Sequence, residues 1–395
     1  MDALEGRREV VRARIILEDR VVPGSVVVED GRIVAVEPDA AQADGPYLAP
    51  GFVDLHVHGW GGHDAMGGPA ALAGMARALI AHGVTSFLPT AVTAPLEALD
   101  TFARDVRAWR AEVAADVAEP LGFNLEGPYI SHAKKGAQNP AFIQVPADAD
   151  RARLETLLDG LRIITIAPEV PGAVELIRWF AVHGVTVSLG HSDATAGQAA
   201  AAYAAGGRTT THLFNAMSGV HNHEPGLVVA ALADDGVYVE LVADGHHVDR
   251  TVWPLILRAK PTDRLVLVSD AIGIAGTGDG RVNVGGLEVE VRDDQCRLVS
   301  DGRLAGSVIA LDTAVRNLVL AGVPLPRAVV AASRNPLDLL GVDDRGRIAV
   351  GLRADLVELD DDLRVRRVMR GGRWVAGRPA DAAASATLAS PGRPT

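Results

Sequence analysis

The sequence has one cysteine and no long apolar run, and each shortage excludes a class of protein. Cys296 has no second cysteine to pair with, so an intramolecular disulfide and a cysteine metal cluster are both excluded. No stretch approaches the roughly 18 apolar residues of a membrane helix, and the first residues, MDALEGRREVV, are charged where a secretory signal would be apolar. We therefore expect a soluble, cytoplasmic protein.

Basic charge is also scarce. The chain has 38 Lys and Arg against 50 Asp and Glu, a formal net charge of -12. This balance argues against nucleic acid or an anionic membrane as the partner, so any anionic ligand must be held by a few local groups. One short basic pair, Lys134 and Lys135, is expected to be a solvated loop.

The chain has 395 residues, 48% of them hydrophobic, which is enough for more than one domain. From residue 49 to residue 342, apolar runs alternate with Ala-rich helical stretches, which predicts a TIM (β/α)8 barrel with an inserted hairpin after the eighth strand. Residues 1–48 and 343–378 alternate apolar and polar positions and predict one small β-sandwich domain, while residues 379–395 are expected to be disordered. The eight predicted barrel strands cover 51–59, 84–92, 120–128, 162–169, 185–193, 208–217, 237–247 and 264–272.

Two histidines end the first predicted barrel strand. His56 and His58 lie two positions apart in HVHG, so their side chains project from the same face of the strand. Taken alone, the pair also fits two polar residues that close a strand, because two imidazoles make an incomplete coordination shell.

Four more polar residues end other predicted strands: Glu126 the third, His191 the fifth, His212 the sixth and Asp270 the eighth. In a TIM barrel these carboxyl ends converge on one face, where the chemistry is built. Imidazoles with a carboxylate suit zinc or another borderline divalent ion better than magnesium or calcium. Glu126, His191 and His212 are predicted to hold such an ion with a position open for water, which indicates hydrolysis of an amide-like bond.

The number of ions stays open at this point. His56 and His58 are candidates for a second ion, with Glu126 as the bridge. Asp270 is predicted to accept a proton from the attacking water and to donate it to the leaving amine. The alternative for Asp270 is a carboxylate that only orients a histidine ligand.

The chain carries, in this order, the motifs HVHG, NLEGP, LGHSDA, THLFNAM, ADGHHVD and LVSDA. It resembles the N-acetylglucosamine-6-phosphate deacetylases of the amidohydrolase superfamily from about residue 10 to residue 375. The resemblance implies removal of acetate from the nitrogen of an amino sugar 6-phosphate, by a homodimer whose subunits share the phosphate contacts. It also implies the metal and acid–base roles given above.

The same resemblance implies a set of substrate contacts. His247 matches a histidine near the sugar and the phosphate, and Asn215 and Ala216 match the loop that lines the substrate. Gln138 stands where some members place a histidine near the acetyl group, and both side chains can donate a hydrogen bond.

His223 departs from the family pattern, which commonly has an arginine that reaches the phosphate in the neighbouring subunit. Arginine grips phosphate with two parallel donors, whereas a neutral histidine offers one. We therefore expect a weaker preference for 6-phosphorylated substrate than the family shows, unless nearby residues compensate.

Three alternatives remain open from the sequence. The first is a deacetylase of a non-phosphorylated or otherwise modified N-acetyl amino sugar, and the second is a deaminase-type amidohydrolase. The third is a metal-binding barrel without turnover, against which the presence of Asp270 argues. A cyclic amidase with a modified lysine bridging two metals is disfavoured, because the fourth predicted strand, RIITIAPE, has no lysine.

Overall fold

The structure is a computed structural model that describes residues 7–39 and 44–375. The first described residues form three antiparallel strands, and a fourth strand pairs in parallel with the first. These strands are β1 (Arg8–Ile16), β2 (Val21–Glu29), β3 (Arg32–Pro38) and β4 (Tyr47–Pro50).

The central region is a closed barrel of eight parallel strands. The strands of this region are β5 (Phe52–Val57), β6 (Gly59–Trp60), β7 (His63–Asp64), β8 (Val84–Ala91), β9 (Glu119–Pro120), β10 (Phe123–Leu125), β11 (Leu161–Ile166), β12 (Thr186–Leu189), β13 (Gly207–Thr210), β14 (Tyr238–Leu241) and β15 (Leu265–Leu267). The barrel order is β5, β8, β10, β11, β12, β13, β14, β15, and a parallel bridge between Val57 and Ala271 joins the last strand to the first. All eight predicted strands are present, so the predicted TIM barrel is confirmed.

Helices cover the outside of the barrel: α1 (Pro69–Ile80), α2 (Leu96–Arg110), α3 (Arg151–Leu157), α4 (Ala173–Val182), α5 (Ala196–Ala204), α6 (Leu227–Ala233), α7 (Trp253–Ala259), α8 (Leu311–Leu320), α9 (Leu325–Ala332) and α10 (Arg334–Leu340). Helix α1 shows why they form: Leu72, Met75 and Leu79 share one face and are buried, and Gly83 then turns the chain at φ 80°. Within the described ranges, no helix is both long and apolar enough to span a membrane.

A small antiparallel sheet follows the eighth barrel strand, where an inserted hairpin was expected. It has three strands, β16 (Gly280–Val284), β17 (Leu287–Arg292) and β18 (Gln295–Leu298). Its apolar side chains pack on Ile272, just past β15, and on Ala137. This packing holds the insertion over the carboxyl end of the barrel.

The last strands are β19 (Leu356–Leu359), β20 (Val365–Arg370) and β21 (Arg373–Val375). They join the first four strands in one sheet with the order β21, β20, β19, β4, β1, β2, β3, which curls around a core of its own. The curl brings two turns together: a Cβ added at Gly372 would lie 2.5 Å from the Gly31 Cα. The fold class, a barrel with a small β domain formed from the segments before and after it, is therefore confirmed, and the predicted β-sandwich is one curled sheet of seven strands.

The domain limits at residues 48 and 342 stay a prediction. The expected disordered tail, residues 379–395, lies outside the described part of the chain.

A cluster of charges fastens the small β domain to the barrel. The Glu119 carboxylate, next to barrel strand β8, lies 2.9 Å from Arg345, 2.6 Å from Arg353 and 3.2 Å from Arg370. Burial alone would raise the pKa of Glu119, but these three guanidinium groups lower it to about 2. Because the folded-state pKa lies below the ordinary 4.5, ionised Glu119 stabilises the fold at neutral pH.

We expect Glu119→Gln to lower the free energy of unfolding by about 2 kcal/mol at pH 7, since three arginines lose their shared partner. The wild type should lose this advantage as the pH falls from about 4.5 towards about 2, the window between the two pKa values. Chemical denaturation across this pH range measures both effects. Glu97→Gln, which removes an exposed carboxylate paired with Arg153, is the control and should change stability little.

Candidate functional site

Six buried side chains meet at the carboxyl face of the barrel, as the sequence predicted. Each lies in or just beyond the end of a barrel strand: His56, His58, Glu126, His191, His212 and Asp270. His191, His212 and Asp270 have positive φ values of 47°, 27° and 52°. Residues other than glycine rarely adopt this backbone conformation. Here it turns three functional side chains inward at the strand ends.

Glu126, His191 and His212 form the first of two compact groups of potential metal ligands in the described residues. Nε2 of His191 and Nε2 of His212 each lie 2.9 Å from Glu126 Oε1, and 3.1 Å from each other. These are the three residues predicted to hold the main ion.

The second group is His56, His58 and the same glutamate. The two Nε2 atoms lie 3.2 Å apart, and they lie 3.6 Å and 3.3 Å from the two carboxylate oxygens of Glu126. Glu126 thus stands between the groups, where a bridging carboxylate for two ions would stand.

Three of the four histidines are oriented by an oxygen atom at the outer nitrogen, whereas Nδ1 of His212 has no hydrogen-bond partner among the described residues. Nδ1 of His56 lies 3.2 Å from Glu240, that of His58 lies 3.1 Å from the Thr90 carbonyl, and that of His191 lies 3.0 Å from the Lys134 carbonyl. Each of these oxygens accepts a hydrogen bond from Nδ1–H, which leaves Nε2 with a free lone pair. A neutral imidazole oriented in this way is the form that binds a metal ion.

The electrostatics of the centre also fit a cation. Burial by itself would raise the pKa of Glu126, but His191 and His212 hold it well below its usual range. Burial lowers the pKa of His56, but the carboxylates of Asp270 and Glu126 outweigh burial and raise it to about 9. The buried carboxylates therefore require positive charge beside them, which either protons on the imidazoles or a divalent ion would supply.

Asp270 faces this centre on one side and a histidine on the other. Its Oδ1 lies 3.3 Å from His58, and its Oδ2 lies 3.4 Å from Nε2 of His247. The Nδ1 atom of His247 lies 2.7 Å from the Asp244 carboxylate, which fixes the ring. Burial would raise the pKa of Asp270, but hydrogen bonding from His247 and the charge of His56 hold it well below its usual range.

Glu240, in barrel strand β14, is a site residue that the sequence did not reveal. It is 1% exposed, and its Oε2 accepts hydrogen bonds from Nδ1 of His56 and, at 3.1 Å, from the backbone N–H of His212. Its Oε1 is buried without a hydrogen-bond partner in the described structure. The sequence VYVELVADG is typical of an ordinary buried strand, so only the packing shows that Glu240 orients the ring of His56 and holds the backbone of His212.

We expect Glu240→Gln to weaken metal binding roughly 10- to 100-fold, because an amide orients the two histidines less strongly than a carboxylate does. Competition with a chelator measures the change in affinity. Glu358→Gln, which alters a buried carboxylate in the small β domain, is the matched control and should bind metal like the wild type. Equal affinity in Glu240→Gln and wild type would show that Glu240 does not support the site.

The centre opens into a cavity of about 470 Å³ that four predicted substrate residues line: His247, Asn215, Ala216 and Gln138. The side-chain N–H of Gln138 donates to Glu126, and its Oε1 accepts the backbone N–H of Thr93 at 2.8 Å. Asn215 Nδ2 donates to the carbonyl of His212 at 3.3 Å, which fixes the loop after β13.

One expectation about cations differs from the structure, and the contact of His223 with a neighbouring subunit stays a prediction. His223 is exposed, lies 3.1 Å from the Asn222 amide and does not line the cavity of its own chain. Lys134 and Lys135, expected to be solvated, are half-buried and line the cavity. Arg303 lines it as well, and no motif drew attention to this residue.

Known proteins share this architecture over nearly the whole chain. The sequence profile of the amidohydrolase family matches residues 47–375. An N-acetylgalactosamine-6-phosphate deacetylase from Escherichia coli O157:H7 is 38% identical over 381 residues, which cover 93% of this chain and 98% of the relative.

Two solved structures have the same fold with a TM-score of 0.87. One is the N-acetylglucosamine-6-phosphate deacetylase of Thermotoga maritima, 36% identical, and the alignment covers 94% of this chain and 100% of that one. The other is a mutant of the Mycobacterium smegmatis enzyme in complex with N-acetyl-D-glucosamine-6-phosphate, 34% identical with the same coverage. The shared sequence profile, barrel and length show that the chain belongs to the N-acetylglucosamine-6-phosphate deacetylase family of the amidohydrolase superfamily.

Proposed function

We propose that this protein is a metal-dependent deacetylase that removes acetate from the nitrogen of an N-acetyl amino sugar 6-phosphate. The observation that carries the proposal is the pair of ligand groups sharing Glu126, with Asp270 beside them, at the end of a cavity large enough for a sugar. The relatives act on glucosamine or galactosamine derivatives, so both sugars are candidate substrates.

We propose zinc as the metal, held by Glu126, His191 and His212, with His56 and His58 available for a second ion. Four imidazoles and one carboxylate suit a borderline divalent ion. When bound, such an ion polarises a carbonyl and lowers the pKa of a water molecule.

Asp270 is proposed as the proton carrier. Its lowered pKa keeps it a carboxylate at neutral pH, so it can accept a proton from the attacking water. The same carboxyl group would then donate this proton to the sugar nitrogen as the bond to the acetyl carbon breaks. His247, braced by Asp244, keeps Oδ2 of Asp270 in place between these two transfers.

Gln138 and Asn215 are proposed to position the sugar. Gln138 contacts Glu126 at the inner end of the cavity, where an acetamide would lie. Asn215 and Ala216 line the same cavity on the loop after β13, where a ring hydroxyl would find hydrogen-bonding groups.

An acetate-release assay with both N-acetylated 6-phosphates, combined with metal analysis, tests the proposal. Acetate release that a chelator abolishes and zinc restores would support it. Protein with under about half an equivalent of bound transition metal and no activation by added zinc would contradict it. Release of ammonia without acetate would favour the deaminase alternative.

We also propose a homodimer, in which the exposed loop with His223 reaches the cavity of the partner. The loop between β13 and α6 is long, and Val220 on it is 61% exposed. We expect sedimentation at micromolar concentration to show a species of twice the 41.2 kDa chain mass. A single species of 41.2 kDa would contradict the proposal. Val182→Ser, an exposed change on α4, is a control that should leave the mass unchanged.

A further inference from the structure

We propose that Arg303, supported by Lys135, holds the phosphate of the substrate in this protein and is its specificity-determining cation. The inference rests on the proposed function for the identity of the sugar. It assigns the anion contact to a loop that follows the inserted sheet, a part of the chain to which neither the motifs nor the ligand groups point.

Arg303 lies close to the ligand groups although it is distant in sequence. Its Nη1 lies 3.5 Å from the carbonyl oxygen of Gly136. A Cβ added at Gly136 would in turn lie 3.2 Å from Cε1 of His191 and 3.3 Å from Cβ of Ala216. Gly136 therefore lies between the guanidinium on one side and, on the other, the proposed metal ligand His191 and the loop of Ala216.

The sugar carries its acetamide and its phosphate on opposite sides of the ring. In a 2-acetamido sugar, C5, which carries C6, lies across the six-membered ring from C2. An acetamide placed at Glu126 and His191 therefore directs the 6-phosphate away from the centre, to the far end of the cavity. Arg303 lines that same cavity on an exposed segment, with 51% of its side chain accessible.

The loop is held in place by the inserted sheet, so the position of Arg303 is built into the fold. The Arg303 carbonyl accepts a hydrogen bond from the backbone N–H of Leu298 at 2.8 Å. The backbone N–H of Ala305 donates to the Cys296 carbonyl at 3.1 Å. Leu298, Cys296 and Ala305 are all buried in the core of the insertion. The backbone is fixed, and the half-exposed side chain contacts Asp301 and the Gly136 carbonyl.

The cations at the cavity differ in their partners. Lys134 lies 3.3 Å from Asp193, so its charge is already balanced. Arg303 has an ion pair with Asp301 at 3.1 Å through Nη2, and its Nη1 lies 3.5 Å from the Gly136 carbonyl, a long contact that a phosphate oxygen would replace. Among the described residues, no ion pair is formed by Lys135. In a chain with a net charge of -12, these groups make the cavity suitable for an anion.

Arg303 offers the two-donor phosphate contact that His223 lacks. Arginine offers two parallel donors to a phosphate, which histidine does not. His223 lies outside the cavity of its own chain, whereas Arg303 lies on it. The contact assigned to Arg303 therefore lies within one chain and does not depend on whether His223 reaches the cavity of a partner.

The experiment compares kcat/KM for N-acetylglucosamine 6-phosphate and N-acetylglucosamine, using zinc-loaded wild type, Arg303→Gln, Arg303→Lys and Arg292→Gln. We expect Arg303→Gln to lower kcat/KM for the phosphate ester roughly 10- to 100-fold, mainly through KM, and to leave the unphosphorylated sugar unchanged. Arg303→Lys should retain part of the preference. Arg292, an exposed arginine of the same insertion that does not line the cavity, is the matched control.

Three outcomes would overturn the assignment. Equal losses for both substrates in Arg303→Gln would indicate a structural role, and an unchanged preference would show no phosphate contact. A loss of preference in His223→Gln but not in Arg303→Gln would place the contact at His223.

Failure of the proposed function is a separate result, in which neither sugar is deacetylated. Calorimetric binding of glucosamine 6-phosphate then still tests the inference. Weaker binding to Arg303→Gln than to Arg292→Gln would support it, and equal binding would overturn it.

Discussion

Asp270→Asn is expected to lower kcat by about 10² to 10⁴ while the bound metal stays nearly unchanged. The amide keeps the size and most of the hydrogen bonds of the carboxylate, but it cannot accept a proton from water or return one to the amine. Asp270 is not a member of either ligand group, so its loss should not release the ion. Steady-state kinetics and metal analysis of the same preparation measure both quantities.

Asp312→Asn is the matched control for this experiment. Asp312 is another buried carboxylate, 3% exposed and 3.1 Å from His82, and it does not line the cavity. We expect a loss of stability but a wild-type kcat from this variant. If Asp270→Asn keeps most of its kcat, another group transfers the proton; if it loses the metal, Asp270 is a ligand.

The strand-end residues could be predicted from the sequence because the barrel itself brings them together. Any two parallel strands of a closed barrel end on the same face, so His56 and Asp270, 214 positions apart, are brought to within 3.5 Å. The prediction needs only the strand positions, and these follow from apolar runs separated by helices. Errors of a few residues in the strand bounds do not change which face a terminal residue reaches.

Glu240 and Arg303 could not be predicted in this way. Glu240 lies inside strand β14, and its contact with His56 depends on the distance across the barrel interior, which no local pattern encodes. Arg303 reaches the cavity because the inserted sheet packs on Ile272, a contact between segments whose spacing in the sequence does not indicate it. The side chains that support the centre or face the open cavity are placed by tertiary packing.

The largest loss of metal is expected from Glu126→Gln, because Glu126 is common to both ligand groups. An amide oxygen is a weaker ligand than a carboxylate and cannot balance the charge of the ion. Affinity should fall by more than the roughly 10- to 100-fold typical of residues that only orient a ligand, and activity should fall with it. Metal analysis after dialysis measures the loss.

The shared position of Glu126 also allows the number of ions to be measured. His58→Ala removes a ligand from one group only, so a protein with two ions should retain one of them, whereas Glu126→Gln should weaken both. Glu169→Gln is the control and should keep its full metal content. The Glu169 carboxylate accepts a hydrogen bond from Ser192 and belongs to neither ligand group. If His58→Ala keeps the same stoichiometry as wild type while Glu126→Gln loses its metal, the protein holds a single ion at Glu126, His191 and His212. If Glu126→Gln retains the wild-type metal content, the carboxylate is not a ligand and the proposed centre is wrong.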